Sequence, residues 1–177
     1  MENKITGYLR PVAAVCALVC AISAAVLFSG CSDPLKGRTA PAFQLEDRAG
    51  KAFSLADYRG KTVMLYFWAT WAPPSRLGMA QMVRVQADYR KRNLAVLAVA
   101  VRDDKKQVGT FLKGTPVNFP VLLGTTGTEQ SYFGSDGLKL PVVLLLDDRG
   151  VVRERFTGYQ DREDLVPAID KVVEPAR

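Results

Sequence analysis

Reactive side chains are scarce in this chain. Its three cysteines, Cys16, Cys20 and Cys31, all fall near the N-terminus, and it has no histidine. That absence excludes Ser-His and Cys-His catalysis and every histidine-ligated metal site. The stretch from Tyr66 to Arg76, Tyr-Phe-Trp-Ala-Thr-Trp-Ala-Pro-Pro-Ser-Arg, is where the chain pattern would concentrate reactivity. The apolar run from Thr62 to Trp68 reads as a buried strand. Pro73 and Pro74 suit the first turn of a helix, where a missing N–H leaves nothing unpaired. Strand, tight turn and helix N-terminus follow one another. The free N–H groups and dipole of such a terminus favour negative charge, as on a thiolate. Yet the turn carries Ala72, with no reactive atom, and Ser75. The Ser75 hydroxyl cannot form a disulfide, and no base is evident to activate it. A serine in a first helical turn is expected to be a cap or solvated.

The motif W-A-T-W-A-P-P-S-R resembles the active-site segment of the TlpA-like thioredoxins, membrane-anchored thiol-disulfide oxidoreductases in which it reads W-A-T-W-C-P-P-C-R. The N-terminal match, Pro41-x-Phe43-x-Leu45 through Phe53-Ser54-Leu55, is shared with the redoxin, AhpC/TSA-like branches. The resemblance covers residues 40–173. It implies an α/β thioredoxin fold, with an N-terminal β-hairpin extension and a central mixed sheet flanked by helices. Disulfide exchange needs an attacking thiolate and, usually, a resolving cysteine. By the resemblance these belong at positions 72 and 75, so no intact catalytic pair is present. Peroxidase chemistry fails for want of a peroxidatic cysteine. The family often continues R-x-E-x-P, with the glutamate buried below the cysteines for proton handling. Arg76 fits, whereas Gly78 and Ala80 depart.

Other family features are retained. Leu140-Pro141 matches the loop whose proline is cis, a state only X-Pro bonds take cheaply. The resemblance implies that the residue before it presents backbone groups to an extended peptide. Trp71, Pro73, Pro74, Leu140 and Pro141 are the candidate binding residues, with Trp68 either part of that apolar patch or packed in the core. Two main readings follow, beside a third in which the domain is purely structural and presents a surface elsewhere. One is a redox-inactive thioredoxin-like protein that binds a polypeptide or partner protein. The other is an active thiol-disulfide oxidoreductase of the cell envelope, which would need a free Cys31 thiol or chemistry independent of cysteine. No cofactor, metal or nucleic acid is expected in either.

The N-terminus addresses the compartment. Lys4 and Arg10 precede an apolar run from Pro11 to Phe28, the pattern of a secretory signal. Its end, Leu27-Phe28-Ser29-Gly30-Cys31, looks like a bacterial lipobox, which would make Cys31 the lipid-modified first residue of the mature protein. An uncleaved membrane helix is the alternative. Either places the domain in the envelope, facing the periplasm or extracytoplasmic space. The expected organisation is a signal over 1–30, a tether over 31–39 and a thioredoxin-like domain over 40–177. The net charge is +6, and its densest cluster, Arg90-Lys91-Arg92, is expected to be a solvated basic face at a helix end.

The remaining pattern supplies the frame. Phe43 and Leu45 face Phe53 and Leu55 across Asp47-Arg48-Ala49-Gly50, a hairpin. Met79, Met82, Val85 and Tyr89 recur at helical steps, predicting a helix over 76–91 ended by Asn93. Leu94 to Val101 reads as a central strand. A helix capped by Asp103 or Asp104 runs to Leu112, with Gly114 as terminator. Val117 to Leu123 reads as a strand, Thr128 to Phe133 as a short helix, and Pro141 to Asp147 as a strand. A turn at Asp148-Arg149-Gly150 leads to a last strand over 151–156. Asp161 caps a final helix with Leu165, Ile169 and Val172 or Val173 facing inward, and Pro167 within it.

Overall fold

A computed structural model describes residues 33–134 and 138–173. Cys16, Cys20, Cys31 and the apolar run between Pro11 and Phe28 lie outside the described residues. Among the described residues, no helix is long and apolar enough to cross a membrane.

A five-stranded sheet forms the centre. Its strands are β3 (Thr62–Trp68), β4 (Leu94–Ala100), β5 (Val121–Leu123), β6 (Val142–Leu146) and β7 (Val152–Thr157), in the order β5-β4-β3-β6-β7. β3, β4 and β5 are parallel, and β6 and β7 antiparallel. The expected mixed sheet is therefore present. All seven residues of β3 are buried, which is why its sequence is a continuous apolar run rather than an alternation. Even positions Met64, Tyr66 and Trp68 join the core on one face, and odd positions Leu65 and Phe67 that on the other.

On the first face lie α1 (Pro73–Tyr89), α2 (Lys105–Gly114) and α4 (Arg162–Val172), through Met79, Met82, Val85, Val108, Leu165 and Ile169. On the second lie α3 (Thr126–Phe133) and a two-stranded hairpin of β1 (Gln44–Glu46) and β2 (Ala52–Ser54). The hairpin pairs Leu45 with Phe53. The Asp47 carboxylate accepts the amides of Ala49 and Lys51, and Gly50 supplies the positive φ of +85° that closes the turn.

Several boundaries differ from expectation for local reasons. Helix α1 starts at Pro73 rather than residue 76, because both prolines fit its first positions. Asn93 does end this region, in the left-handed conformation, after a 3-10 turn over Arg90–Arg92. Gly114 is the last residue of α2 and takes no left-handed conformation; the chain leaves through Thr115. Asp104, not Asp103, is the N-cap, in a reciprocal capping box with Gln107. Thr125 caps α3, which starts at Thr126, two residues ahead of the expected Thr128. Of the expected strand over 117–123, only Val121–Leu123 forms β5. Pro120 has no N–H to give the ladder and only accepts, from the Ala98 amide. Pro167 is accommodated within α4.

The folded unit begins at Leu35, ahead of the expected boundary at residue 40. Residues 37–40 form a strap along residues 150–152, through Gly37 N–H to Val152 O, Val152 N–H to Arg38 O and Ala40 N–H to Gly150 O. The opposite sheet edge meets the hairpin at the Asp47–Leu122 bridge. Each edge of the sheet is thus covered at one point, β7 at its first residue and β5 at Leu122.

Candidate functional site

The turn at the C-terminal end of β3 is pinned from two sides. The Thr70 amide and hydroxyl both donate to the Asp103 carboxylate, each at 2.6 Å. The Arg76 guanidinium donates to the Thr70 carbonyl at 2.8 Å. Ala72 is the N-cap of α1 and contributes no side-chain bond. Its amide donates to Ala69 O at 3.3 Å, and its carbonyl accepts from the Ser75 and Arg76 amides at 3.0 and 3.2 Å. Pro73 and Pro74 have no N–H. The free donors expected at this helix end are therefore missing, and only the dipole remains to favour an anion.

Ser75 is neither a cap nor solvated. It is fully buried, and its Oγ has no hydrogen-bond partner among the described residues. Its carbonyl accepts from the Tyr66 hydroxyl at 2.7 Å. Tyr66 rises from the middle of β3, and its hydroxyl reaches the place where a side chain at position 78 would begin. A Cβ at Gly78 would collide with Tyr66 Oη and lie 3.2 Å from its Cζ. Where the family resemblance implies a buried glutamate, this protein has a tyrosine filling the space from the sheet. Burial, and secondarily Tyr159 nearby, push the Tyr66 phenol well above its usual range, so it stays protonated and donating.

Trp68 is wholly buried and packs at a 48° tilt against Phe111 with ring centroids 5.0 Å apart, so it belongs to the core and not to a surface patch. Trp71, by contrast, is 51% exposed, and Pro73 and Pro74 are exposed beside it. The Leu140-Pro141 bond is cis. Antiparallel pairing of Phe67 with Val142, continued one residue, sets Pro141 level with Trp68 at the mouth of the turn. Pro141 is buried, and its carbonyl accepts from Gly158 N–H at 2.8 Å. Leu140 is half-buried, and among the described residues no hydrogen bond engages its backbone.

Two further apolar residues share this end. Leu77, 67% exposed, lies in the second turn of α1, and Tyr159, 39% exposed, follows β7. The Tyr159 hydroxyl donates to Asp161 at 2.7 Å and accepts from Gln81 of α1 at 3.0 Å, fastening its loop to the helix. Trp71, Leu77 and Tyr159 are the large apolar side chains that the described residues expose, and all three border the turn. The sequence held a signal for Leu77, which is apolar but out of phase with Met79, Met82 and Val85. It held none for Tyr159, and Tyr66 is hidden inside a strand run. The site combines a thiol-free turn, a sealed interior and an apolar rim. It offers surface and backbone groups to a ligand, and positions 72 and 75 carry no thiol.

Residues 36–155 match the AhpC/TSA family. The chain is 36% identical over 144 residues to the thiol-disulfide oxidoreductase ResA of Bacillus subtilis, spanning 80% of this chain and 79% of that one. It is 33% identical over 138 residues to the thioredoxin-like protein YneN of the same organism, spanning 76% and 79%. Among solved structures, a putative thiol:disulfide interchange protein DsbE from Chlorobium tepidum superposes with a TM-score of 0.71 at 30% identity, over 78% of this chain and 98% of that one.

Proposed function

This chain belongs to the AhpC/TSA family, with thioredoxin-fold thiol-disulfide oxidoreductases among its relatives, and from that membership we propose a binding protein that has given up the relatives' reaction. It is an envelope lipoprotein, held to a membrane through Cys31, whose thioredoxin-like domain binds an extended polypeptide or partner protein at the turn without exchanging disulfides. The observation that carries this reading is the contrast within one site. Ala72, Ser75 and the Tyr66–Gly78 packing remove the chemistry, while Trp71, Leu77 and Tyr159 stay exposed around the backbone of Leu140, which no described residue hydrogen-bonds. An extended segment can add to that backbone as a strand, with its side chains against the rim. Placement in the envelope rests on the apolar run and lipobox of the sequence.

Two measurements test it. The full chain in detergent is expected to show no insulin reductase activity; clear turnover would restore the active oxidoreductase reading. A photo-crosslinking residue at position 71 or 140, in the native envelope, is expected to capture polypeptide adducts that the same residue at position 113 does not. Equal capture at all three positions would remove the turn as the binding surface. Mass spectrometry of the mature N-terminus, finding diacylglycerol on Cys31 or a free thiol, decides the anchor.

A further inference from the structure

The end of the sheet opposite the turn is strongly basic. A cleft of about 480 Å³ opens there, beside the first residue of β3, lined by Arg92, Arg149, Arg153 and Lys171 together with Asp147 and Asp148. Two of the acids are tied into ion pairs with Arg153 and Arg92, which leaves Arg149 and Lys171 facing Asp148 at the cleft. Asp147 is buried, and its carboxylate is taken up by the Arg149 and Val151 amides and the Arg153 guanidinium. Asp170 is taken up by Arg92 at 2.7 Å and by the Tyr89 hydroxyl at 3.1 Å. Arg149 and Lys171 have no side-chain hydrogen bond or ion pair among the described residues.

The segments meeting at this end extend the charge. The Arg59 guanidinium bonds the Arg149 carbonyl, the Asn93 amide bonds Gly60 O, and Thr62 N–H bonds Asn93 O. These contacts bring residues 59–62, 90–93 and 147–153 together, and Lys171 joins them at the cleft. Residues 59–62, 90–93, 147–153 and 170–172 hold eight Lys and Arg against three Asp, a net +5 within a chain of +6. Most of the excess charge is therefore gathered at one end.

We propose that this end docks on the anionic phosphate headgroups of the membrane that carries the protein, an inference that rests on the lipid-anchored reading above. The cations lie on four segments spread across one end of the domain, and only Arg149 and Lys171 are unpaired at the cleft. That spread matches a sheet of negative charge better than one small ion. The tether allows it. Six residue steps separate Cys31 from Gly37, where the strap begins, a reach of at most about 20 Å. At that range the anchor keeps the domain at high effective concentration beside the headgroups. Clusters of four to eight Lys and Arg next to a membrane anchor have the charge for anionic lipid. β3 runs about 20 Å from this end to the turn, so docking holds Trp71, Leu77 and Tyr159 away from the bilayer, where a polypeptide can reach them.

The test uses the full chain with vesicles of phosphatidylcholine alone or mixed with phosphatidylglycerol. Flotation reports attachment, and acylation by an impermeant amine reagent, read by peptide mass spectrometry, reports docking. Lys61, Lys91 and Lys171 are expected to react several-fold more slowly on the anionic vesicles, with the difference erased by high salt. Lys105 and Lys106, at the turn end, are expected to react equally on both. Arg149→Glu with Lys171→Glu is expected to abolish protection of Lys61 and Lys91, with the circular dichroism spectrum unchanged. Flotation on both vesicles with equal acylation overturns docking and leaves the anchor standing. Flotation on anionic vesicles alone supports docking and removes the anchor; flotation on neither overturns both. Protection by inorganic phosphate on neutral vesicles, equal to that on anionic ones, would assign the cations to a small anion and overturn the proposal.

Discussion

Ser75 lies buried in the first turn of α1, with no hydrogen-bond partner for its Oγ among the described residues. From sequence, a serine after two prolines at a helix start is a cap, and replacing a cap by alanine costs about 1 kcal/mol. The structure gives it the opposite sign. Its Oγ is buried without a partner, and an unsatisfied buried hydroxyl is itself unfavourable. Ser75→Ala is expected to leave stability unchanged or raise it by up to about 1 kcal/mol in urea unfolding; a loss of that size would reinstate a cap. Burial of this kind depends on what packs over the first turn of α1, and no local pattern reports it. The identities at 72 and 75 were fully legible, since the loss of thiols is a statement about atoms. Ala72→Cys with Ser75→Cys is expected to give measurable insulin reduction where the wild type and either single variant give none. Without an acid at position 78 the rate should fall on the order of 10²-fold below a relative that keeps one.

Helix α1 and strand β3 are coupled through Gly78 and Tyr66. Glycine inside a helix costs about 1 kcal/mol against alanine, so Gly78→Ala judged on α1 alone should stabilise. The Tyr66 hydroxyl reverses this. The new methyl would have to displace it and its bond to the Ser75 carbonyl, an overpacking cost of about 1–3 kcal/mol. Gly78→Ala is expected to destabilise in the wild type and to be clearly better tolerated with Tyr66→Phe, a non-additivity measurable in a double-mutant cycle. Equal costs in the two backgrounds would dissolve the coupling. The elements themselves were legible because their signals are local. The seven buried residues of β3, the Met79–Met82–Val85 face and the Asp104 cap all rest on neighbours in sequence. Their coupling was not, because Tyr66 and Gly78 read separately as a strand aromatic and a helix glycine.

The whole molecule titrates at its extremes. With no histidine, no side chain of ordinary pKa changes charge near neutrality. Burial alone would raise Asp147, but the Val151 and Arg149 amides and the Arg153 guanidinium outweigh it and hold the carboxyl below its usual range. A depressed carboxylate adds stability that is complete above its unfolded pKa of about 3.9 and drains away as pH falls towards the folded value. Tyr66 and Tyr132, raised by burial, add stability that is complete below about pH 10 and is lost as pH rises beyond it. Thermal unfolding is expected to show a flat plateau from about pH 5 to 9 with a fall on each side. Asp147→Asn should lower the plateau and make the acid fall shallower, and an unchanged acid limb would remove Asp147 from it. The polarity of the molecule, with cations gathered at one end and three exposed apolar side chains at the other, was invisible in sequence. Its cations come from four separated segments that only the sheet brings together.

The strap along β7 gives the protein a mechanical property. If the domain is anchored and loaded as proposed, any pull between membrane and bound cargo enters through residues 35–40. The load falls first on Leu35, packed against the second face of the sheet, and on the exposed Lys36–Glu154 pair, and then on the three backbone hydrogen bonds to residues 150–152. The strap is thus the weak link under tension. It can peel and lengthen the leash by several residues while the folded core, and whatever the turn holds, stays intact.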